Sequence, residues 1–107
     1  MRNEKDSMGN MQVPKNAYYG AQTQRAIQNF QISNRKIPSS MIRAIGIIKR
    51  SAAIVNSSLG IIDKNIADAI IKSSEEVING EFDDQFLVDV YQTGSGTSSN
   101  MNANEII

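Results

Sequence analysis

From Met41 onward apolar residues recur at alternating spacings of four and three: Met41, Ile45, Ile48, Ala52, Val55 and Leu59. That period winds one stripe along an α-helix, and Pro38 ahead of it has the fixed φ that suits a first helical turn. Such a helix runs roughly 33 Å at about 1.5 Å per residue. Gly60 then stands where helices commonly stop, at the residue just past the end. Asp63 can cap a second helix, on which Ile66, Ile70, Ser73 and Val77 continue the same face until Asn79-Gly80 ends it. The pattern predicts an antiparallel helix pair over 38–79, with the stripe as core or subunit contact. Ile47 and Ile71 lie off the stripe and predict a second apolar face that awaits a partner.

The flanking segments read differently. Arg2 to Ser7 and Met11 to Pro14 predict a hairpin around Met8-Gly9-Asn10, with Gly9-Asn10 as the turn because glycine supplies positive φ. Two strands alone are marginal, so this hairpin must lean on something else. After Gly20 a short helix is expected, with Tyr18, Ala21, Ala26, Ile27 and Phe30 packing on one face. Beyond the helix pair, Glu81 to Asp84 predict an acidic exposed turn. "QFLVDVY", rich in β-branched and aromatic residues, predicts an extended segment leading into Thr93. The fold class expected is mainly α: a short N-terminal β-hairpin followed by an antiparallel helix pair. All of it fits one domain over 1–107, in segments 1–37, 38–79 and 80–107.

Composition narrows the chemistry. A chain of 107 residues is one small domain's length, able to bury roughly two-thirds of its unfolded surface. Eleven basic residues balance eleven acidic ones, with no block of like charge to form an arm for nucleic acid or anionic lipid. With no cysteine and no histidine, disulfides, thiolate catalysis and the commonest general base and metal ligand are excluded. Hydroxyls, amides, carboxylates and lysines must carry any chemistry. Met1 to Ser7 lacks the apolar core of a signal peptide and no apolar run is long enough for a membrane span, so a soluble cytoplasmic protein is expected.

The segment "QTGSGTSSNMNANE", Gln92 to Glu105, concentrates hydroxyls, amides and two glycines, with no charge before Glu105. It is no P-loop, for it lacks the lysine and the wider glycine spacing. A dinucleotide fingerprint would need glycine at Ser99, and no second strand follows to complete a βαβ unit. Gly94 and Gly96 permit tight or left-handed backbone, so that successive N–H groups can face one anion. Ser95, Thr97, Ser98 and Ser99 add hydroxyl donors. A helix beginning near Thr97 or Ser98 adds its positive end. A carboxylate suits so neutral a set of donors better than a polyphosphate, which recruits lysine or arginine. Local chemistry alone leaves two readings standing, a helix cap and a ligand site.

"TGSGTSSNMNANEII", preceded in order by "DSMGNMQVPKNAYYGAQTQRAIQNF", resembles the beginning of a class II fumarase, in the fumarase/aspartase superfamily, and the similarity runs from Arg2 to the last residue. Where aspartases typically show histidine, leucine and "GGAGTS", this chain has Gln22, Gln24 and "TGSGTS". The resemblance implies the amino-terminal domain of that fold and reversible hydration of fumarate to L-malate, a tricarboxylic acid cycle step, without metal or organic cofactor. It implies substrate binding by Ser95, Gly96 and Thr97, with Asn100 capping or bracing the loop. Arg25 resembles an arginine near the active-site entrance of aspartase-like relatives, where it either assists a carboxylate or forms a structural salt bridge. Family members are homotetramers whose sites draw on three subunits. Their catalytic serine, its neighbouring lysine and asparagine, and the acid-side histidine are expected beyond Ile107, so no catalytic residue is assigned here and the chain alone is expected to be inactive. An aspartate ammonia-lyase and a non-catalytic helical assembly module are the alternative readings.

Overall fold

The computed structural model describes all residues, 1–107. In chain order they form strands β1 (Arg2–Asp6) and β2 (Gly9–Val13), helices α1 (Ala21–Asn29), α2 (Ser39–Ser58) and α3 (Lys64–Ile78), a 3-10 turn at Asp83–Gln85, and helix α4 (Thr97–Ile106). This is a mainly helical fold with one antiparallel hairpin. Two compact units result: Met1–Ile37 with Asp84–Ile106, and Pro38–Asp83.

In the first unit the hairpin pairs Arg2 with Val13 and Asp6 with Gly9. Its turn is therefore Ser7-Met8, two residues earlier than glycine placement predicts. The Asp6 carboxylate causes the shift by accepting the Met8 N–H at 2.9 Å, a side-chain mimic of a backbone turn. Gly9, at φ +118°, serves as the first residue of β2. The support the hairpin needs comes partly from Arg2. Its guanidinium donates to the carbonyls of Pro14, Lys15, Ala17 and Tyr19, and its Nε to Glu4, so one side chain gathers the whole connection to α1. Tyr19 is the buried tyrosine and Tyr18 the exposed one, a one-residue correction to the expected face. On α1 itself Ala21, Thr23 and Ala26 are buried, while Ile27 and Phe30 are half-buried.

The start of α1 has no cap of its own, since Gly20 carries no side chain. Glu105 of α4 supplies one: its carboxylate accepts the Thr23 N–H at 2.6 Å and the Gln22 N–H at 3.2 Å. Both are orphan amides of a first helical turn, and a negative group at that end also suits the helix dipole. A Cβ at Gly20 would lie 2.6 Å from Glu105 Oε2, so a side chain there would push the capping carboxylate aside. The segment after the 3-10 turn buries Phe86 and Val88 but forms no strand beyond the single bridge Lys36–Asp89. The reason is Asp89. Its buried carboxylate accepts the N–H groups of Ser33, Asn34 and Tyr91 and the Ser33 hydroxyl at 2.7–2.9 Å, so backbone donors that a ladder would use are drawn to a side chain.

The second unit is the helix pair. Asp63 caps α3 by accepting the Asn65 N–H at 3.1 Å. Gly60 and Gly80, at φ +72° and +82°, follow the ends of α2 and α3 in the left-handed conformation expected there. The face is where the pattern misleads. Buried on α2 are Ile42, Gly46 and Ala53, and on α3 Ala67, Ser74 and Val77, one position along from most of the expected stripe. Met41, Ile48, Val55 and Leu59 are 51–66% exposed. Small residues explain the choice: at Gly46 a Cβ would sit 2.8 Å from Ile78 Cγ1 and 3.3 Å from Val77 Cγ1, so the helices meet where α2 has least side chain. Ile47 and Ile71 are half-buried. No helix is long and apolar enough to cross a membrane.

Candidate functional site

The donor loop spans Gln92 to Thr97 and empties into α4. Gly96, at φ +72°, turns the chain in a conformation that side-chain-bearing residues resist, and its N–H closes a turn on the Thr93 carbonyl at 3.1 Å. Thr97 is the first residue of α4, within the expected start. The Ser95 and Thr97 hydroxyls lie 2.7 Å apart, and Thr93 Oγ1 is 3.5 Å from Ser95 Oγ. A hydroxyl has one proton to give. Whichever of Ser95 and Thr97 donates to the other, one proton of the pair remains for a ligand oxygen. Ser95 and Thr97 are exposed and Gly96 half-buried, so all three are within reach of a ligand.

The amides of α4 complete the picture. The Ser99 N–H is capped by Gln92 Oε1 at 2.9 Å, and the Asn100 N–H bonds the Gly96 carbonyl at 3.3 Å. Thr97 and Ser98 carry the two first-turn amides outside these bonds, at the positive end of a helix whose first turn has no acidic residue. An anion is favoured there on both counts. The acceptor that caps this turn is Gln92, while the Ser95 and Thr97 hydroxyls bond each other.

Arg25 faces a cleft of about 320 Å³ that Ser98 also lines. Its guanidinium grips Asp6 through two bonds, Nε to Oδ2 at 3.1 Å and Nη2 to Oδ1 at 2.8 Å. The Arg25 bonds, helped by the Met8 and Gly9 amides and opposed by desolvation, hold the Asp6 carboxyl below the usual carboxylate range. Of the two roles open to Arg25, the salt bridge is the one this geometry displays. For Asp89, burial pushes the carboxyl upward, but the amides of Tyr91, Ser33 and Asn34 and the Ser33 hydroxyl outweigh it, and the group is held well below the ordinary range.

Ser95, Gly96 and Thr97 lie together in one loop, as their contiguity dictates, but sequence reasoning misses what holds it. Gln92 also donates to the Asp89 carbonyl at 2.9 Å and to Ser99 Oγ at 2.8 Å, and buried Asn102 donates to the Gln85 carbonyl at 3.1 Å. For Gln92 a signal existed: an amide seven residues before Ser99, across two glycines, is within reach of a helix start. Asp89, Glu105 and Asn102 act on distant backbone and leave no local pattern. No group of acidic side chains is arranged to hold a metal ion.

Comparison with known proteins agrees with this architecture. The chain is 60% identical over 106 residues to the class II fumarate hydratase of Halobacterium salinarum, covering 99% of this chain and 23% of that protein. It is 50% identical over 107 residues to an aspartate ammonia-lyase of a Bacillus species, covering 100% of this chain and 23% of the relative. Among solved structures, the class II fumarase of Schistosoma mansoni superposes with a TM-score of 0.95 at 42% identity, over 98% of this chain and 22% of that one. The chain therefore spans under a quarter of the length of these relatives. The fold is that of the fumarase/aspartase superfamily over this length, and since the lyase family matches residues 9–107, the chain belongs to that family.

Proposed function

We propose that this chain supplies the dicarboxylate-binding loop of a fumarate hydratase that interconverts fumarate and L-malate. The observation that carries the reading is the pairing of Ser95 and Thr97 hydroxyls with the open amides of α4, in a chain 60% identical to a class II fumarate hydratase. Hydration of this kind proceeds by proton transfer beside a carboxylate, through an aci-carboxylate whose negative charge grows toward the transition state. Donors fixed in advance around that carboxylate bind the transition state more tightly than the ground state, which is what accelerates the step. The Ser95–Thr97 hydroxyl pair gives its remaining proton to the substrate carboxylate, and Gly96 admits the substrate close to the main chain. The acid and base are supplied from outside this chain, within a homotetrameric, cytoplasmic enzyme of the tricarboxylic acid cycle.

The test is Thr97→Val in the full-length protein, which keeps the shape and removes the hydroxyl. Loss of a hydrogen bond to a charged group costs about 1.5 to 3 kcal/mol, or roughly ten- to a hundredfold in kcat/KM. Unchanged kcat/KM for fumarate and malate would remove Thr97 from the site. A second reading, addition of ammonia in place of water, is favoured by the 50% identity to an aspartate ammonia-lyase. Turnover of fumarate with ammonia against fumarate with water separates the two.

A further inference from the structure

The loop that offers Ser95 and Thr97 is exposed, contains two glycines and makes few bonds of its own. Flexible donors are poor donors, since each must be ordered when the ligand binds. Something has to fix the distance between the end of the extended segment and the start of α4, and one side chain spans it. Gln92 Oε1 accepts the Ser99 N–H at 2.9 Å, while Gln92 Nε2 donates to Ser99 Oγ at 2.8 Å and to the Asp89 carbonyl at 2.9 Å. The amide plane therefore closes a ring across the base of the loop, with Thr93 to Ser98 as its arch. On the near side the ring is anchored by Asp89, whose carboxylate is tied to Ser33, Asn34 and Tyr91. On the far side it ends on the first turn of α4, whose Thr97 and Ser98 amides complete the anion site. Gln92 itself is half-buried and its bonds all point into the protein.

We infer that Gln92 is a positioning residue for the dicarboxylate site: it touches no substrate, and its three hydrogen bonds hold the Ser95 and Thr97 hydroxyls and the open amides of α4 in one constellation. The inference rests on the dicarboxylate-binding reading of the loop. It distinguishes Gln92 from an ordinary helix cap, because a cap needs only the acceptor Oε1, whereas positioning needs both ends of the amide. Gln92→Glu keeps an acceptor for Ser99, loses both donations and brings a charge toward the anion site, so the two roles are separated by the split of Tm from kcat/KM and by the coupling to Ser95 and Thr97 rather than by this variant alone.

The experiment uses the full-length protein and steady-state kinetics on fumarate and malate. Gln92→Met, of similar length without polar atoms, is expected to lower kcat/KM about tenfold or more, since small misplacements of aligned groups carry losses of that order. Gln92→Glu is expected to fall with it rather than to rescue. In a Ser95→Ala, Thr97→Val background the further effect of Gln92→Met should shrink to about twofold or less, because interacting residues are non-additive. If Gln92→Met or Gln92→Glu lowers Tm while kcat/KM stays at the wild-type value, or if the Gln92 effect multiplies undiminished in the doubly substituted background, the inference is overturned. Should both Gln92 variants fail to fold, Ser99→Ala removes one end of one bond. It must then lower kcat/KM at unchanged Tm for the inference to stand, and unchanged kcat/KM overturns it. A wild-type protein inert toward fumarate would overturn the functional reading and this inference together, whereas an active wild type with indifferent Gln92 or Ser99 variants overturns this inference alone.

Discussion

In the unit made of Met1–Ile37 and Asp84–Ile106, polar side chains reach backbone far along the chain. Asp89 binds the amide of Asn34 across 55 residues, Gln85 that of Tyr18 across 67, and Glu105 that of Gln22 across 83. In the unit Pro38–Asp83, Ser58 donates three residues back and Asp63 accepts from two residues on, both of them local bonds. What α2 and α3 bury is Ile42, Gly46 and Ala53 on one helix and Ala67 and Val77 on the other, with Gly46 set against Val77 and Ile78. One unit is specified by directional bonds to irregular backbone, the other by shape. A donor loop needs the first kind of support, because positions without regular structure have no ladder to hold them.

The largest effect expected from breaking that contrast is at Asp89. Asp89→Ala leaves the amides of Ser33, Asn34 and Tyr91 and the Ser33 hydroxyl without the charged acceptor they share, and hydrogen bonds to a charged group contribute more than neutral ones. Stability should fall more than for any other variant considered, and hydrogen exchange should show the three amides losing protection while those of α2 and α3 keep theirs. The same carboxylate sets an acid response. Its folded pKa is depressed, so its contribution is complete above the unfolded carboxyl's value of about 3.9 and is lost as pH falls below that toward the folded value. Asp89→Asn should flatten the acid limb of a stability–pH curve, and an unchanged limb would remove Asp89 as its source.

The same contrast explains what was legible beforehand. Helix ends in the second unit are set by Pro38, Gly60, Asp63 and Gly80, each acting within a turn, and these could be read. Which face of α2 turns inward could not. Met41, Ile45, Ile48 and Val55 carry the stronger hydrophobic signal, but Gly46 and Ala53 permit the closer approach, and close packing decides between faces that periodicity ranks by hydrophobicity alone. In the first unit Ser95, Gly96 and Thr97 were legible as a donor loop because they are contiguous. Asp89 and Glu105 were not, for a carboxylate that will bind an amide fifty or more residues away looks like any surface acid. The hairpin turn was misplaced for a similar reason: the glycine rule is local, and Asp6 overrode it.

Overpacking should break the second unit where polar substitution breaks the first. Gly46→Leu drives a side chain into Ile78 and Val77, whose Cγ1 atoms would lie 2.8 and 3.3 Å from a Cβ. A loss of about 1 to 3 kcal/mol is expected from urea denaturation. Stability equal to wild type would mean that α2 and α3 do not meet at Gly46. The Glu105 cap should cost less. Glu105→Ala removes the acceptor for Gln22 and Thr23 and should destabilise by about 0.5 to 2 kcal/mol. Adding Gly20→Ala, whose Cβ would otherwise meet Glu105 Oε2 at 2.6 Å, should be better tolerated in that background than alone.

The smallest effect is the sharpest, since it compares one substitution in the two units. Ser33 Oγ donates to Asp89 at 2.9 Å and accepts the Arg35 N–H at 3.1 Å; Ser74 Oγ is fully buried on α3 with no hydrogen-bond partner. Ser33→Ala takes a donor from a carboxylate and an acceptor from an amide, so it must destabilise. Ser74→Ala takes away a hydroxyl that is desolvated without compensation, leaves a residue of nearly the same shape, and replaces a weaker helix former with the best one. Its expected change is about zero to 1 kcal/mol in the stabilising direction, read from the same denaturation curves. Opposite signs would show that hydroxyls carry the first unit and merely occupy space in the second. A Ser74→Ala loss as large as that of Ser33→Ala would mean that the helix pair, too, depends on a polar bond, and the contrast between bonding and shape would fail at its most direct point.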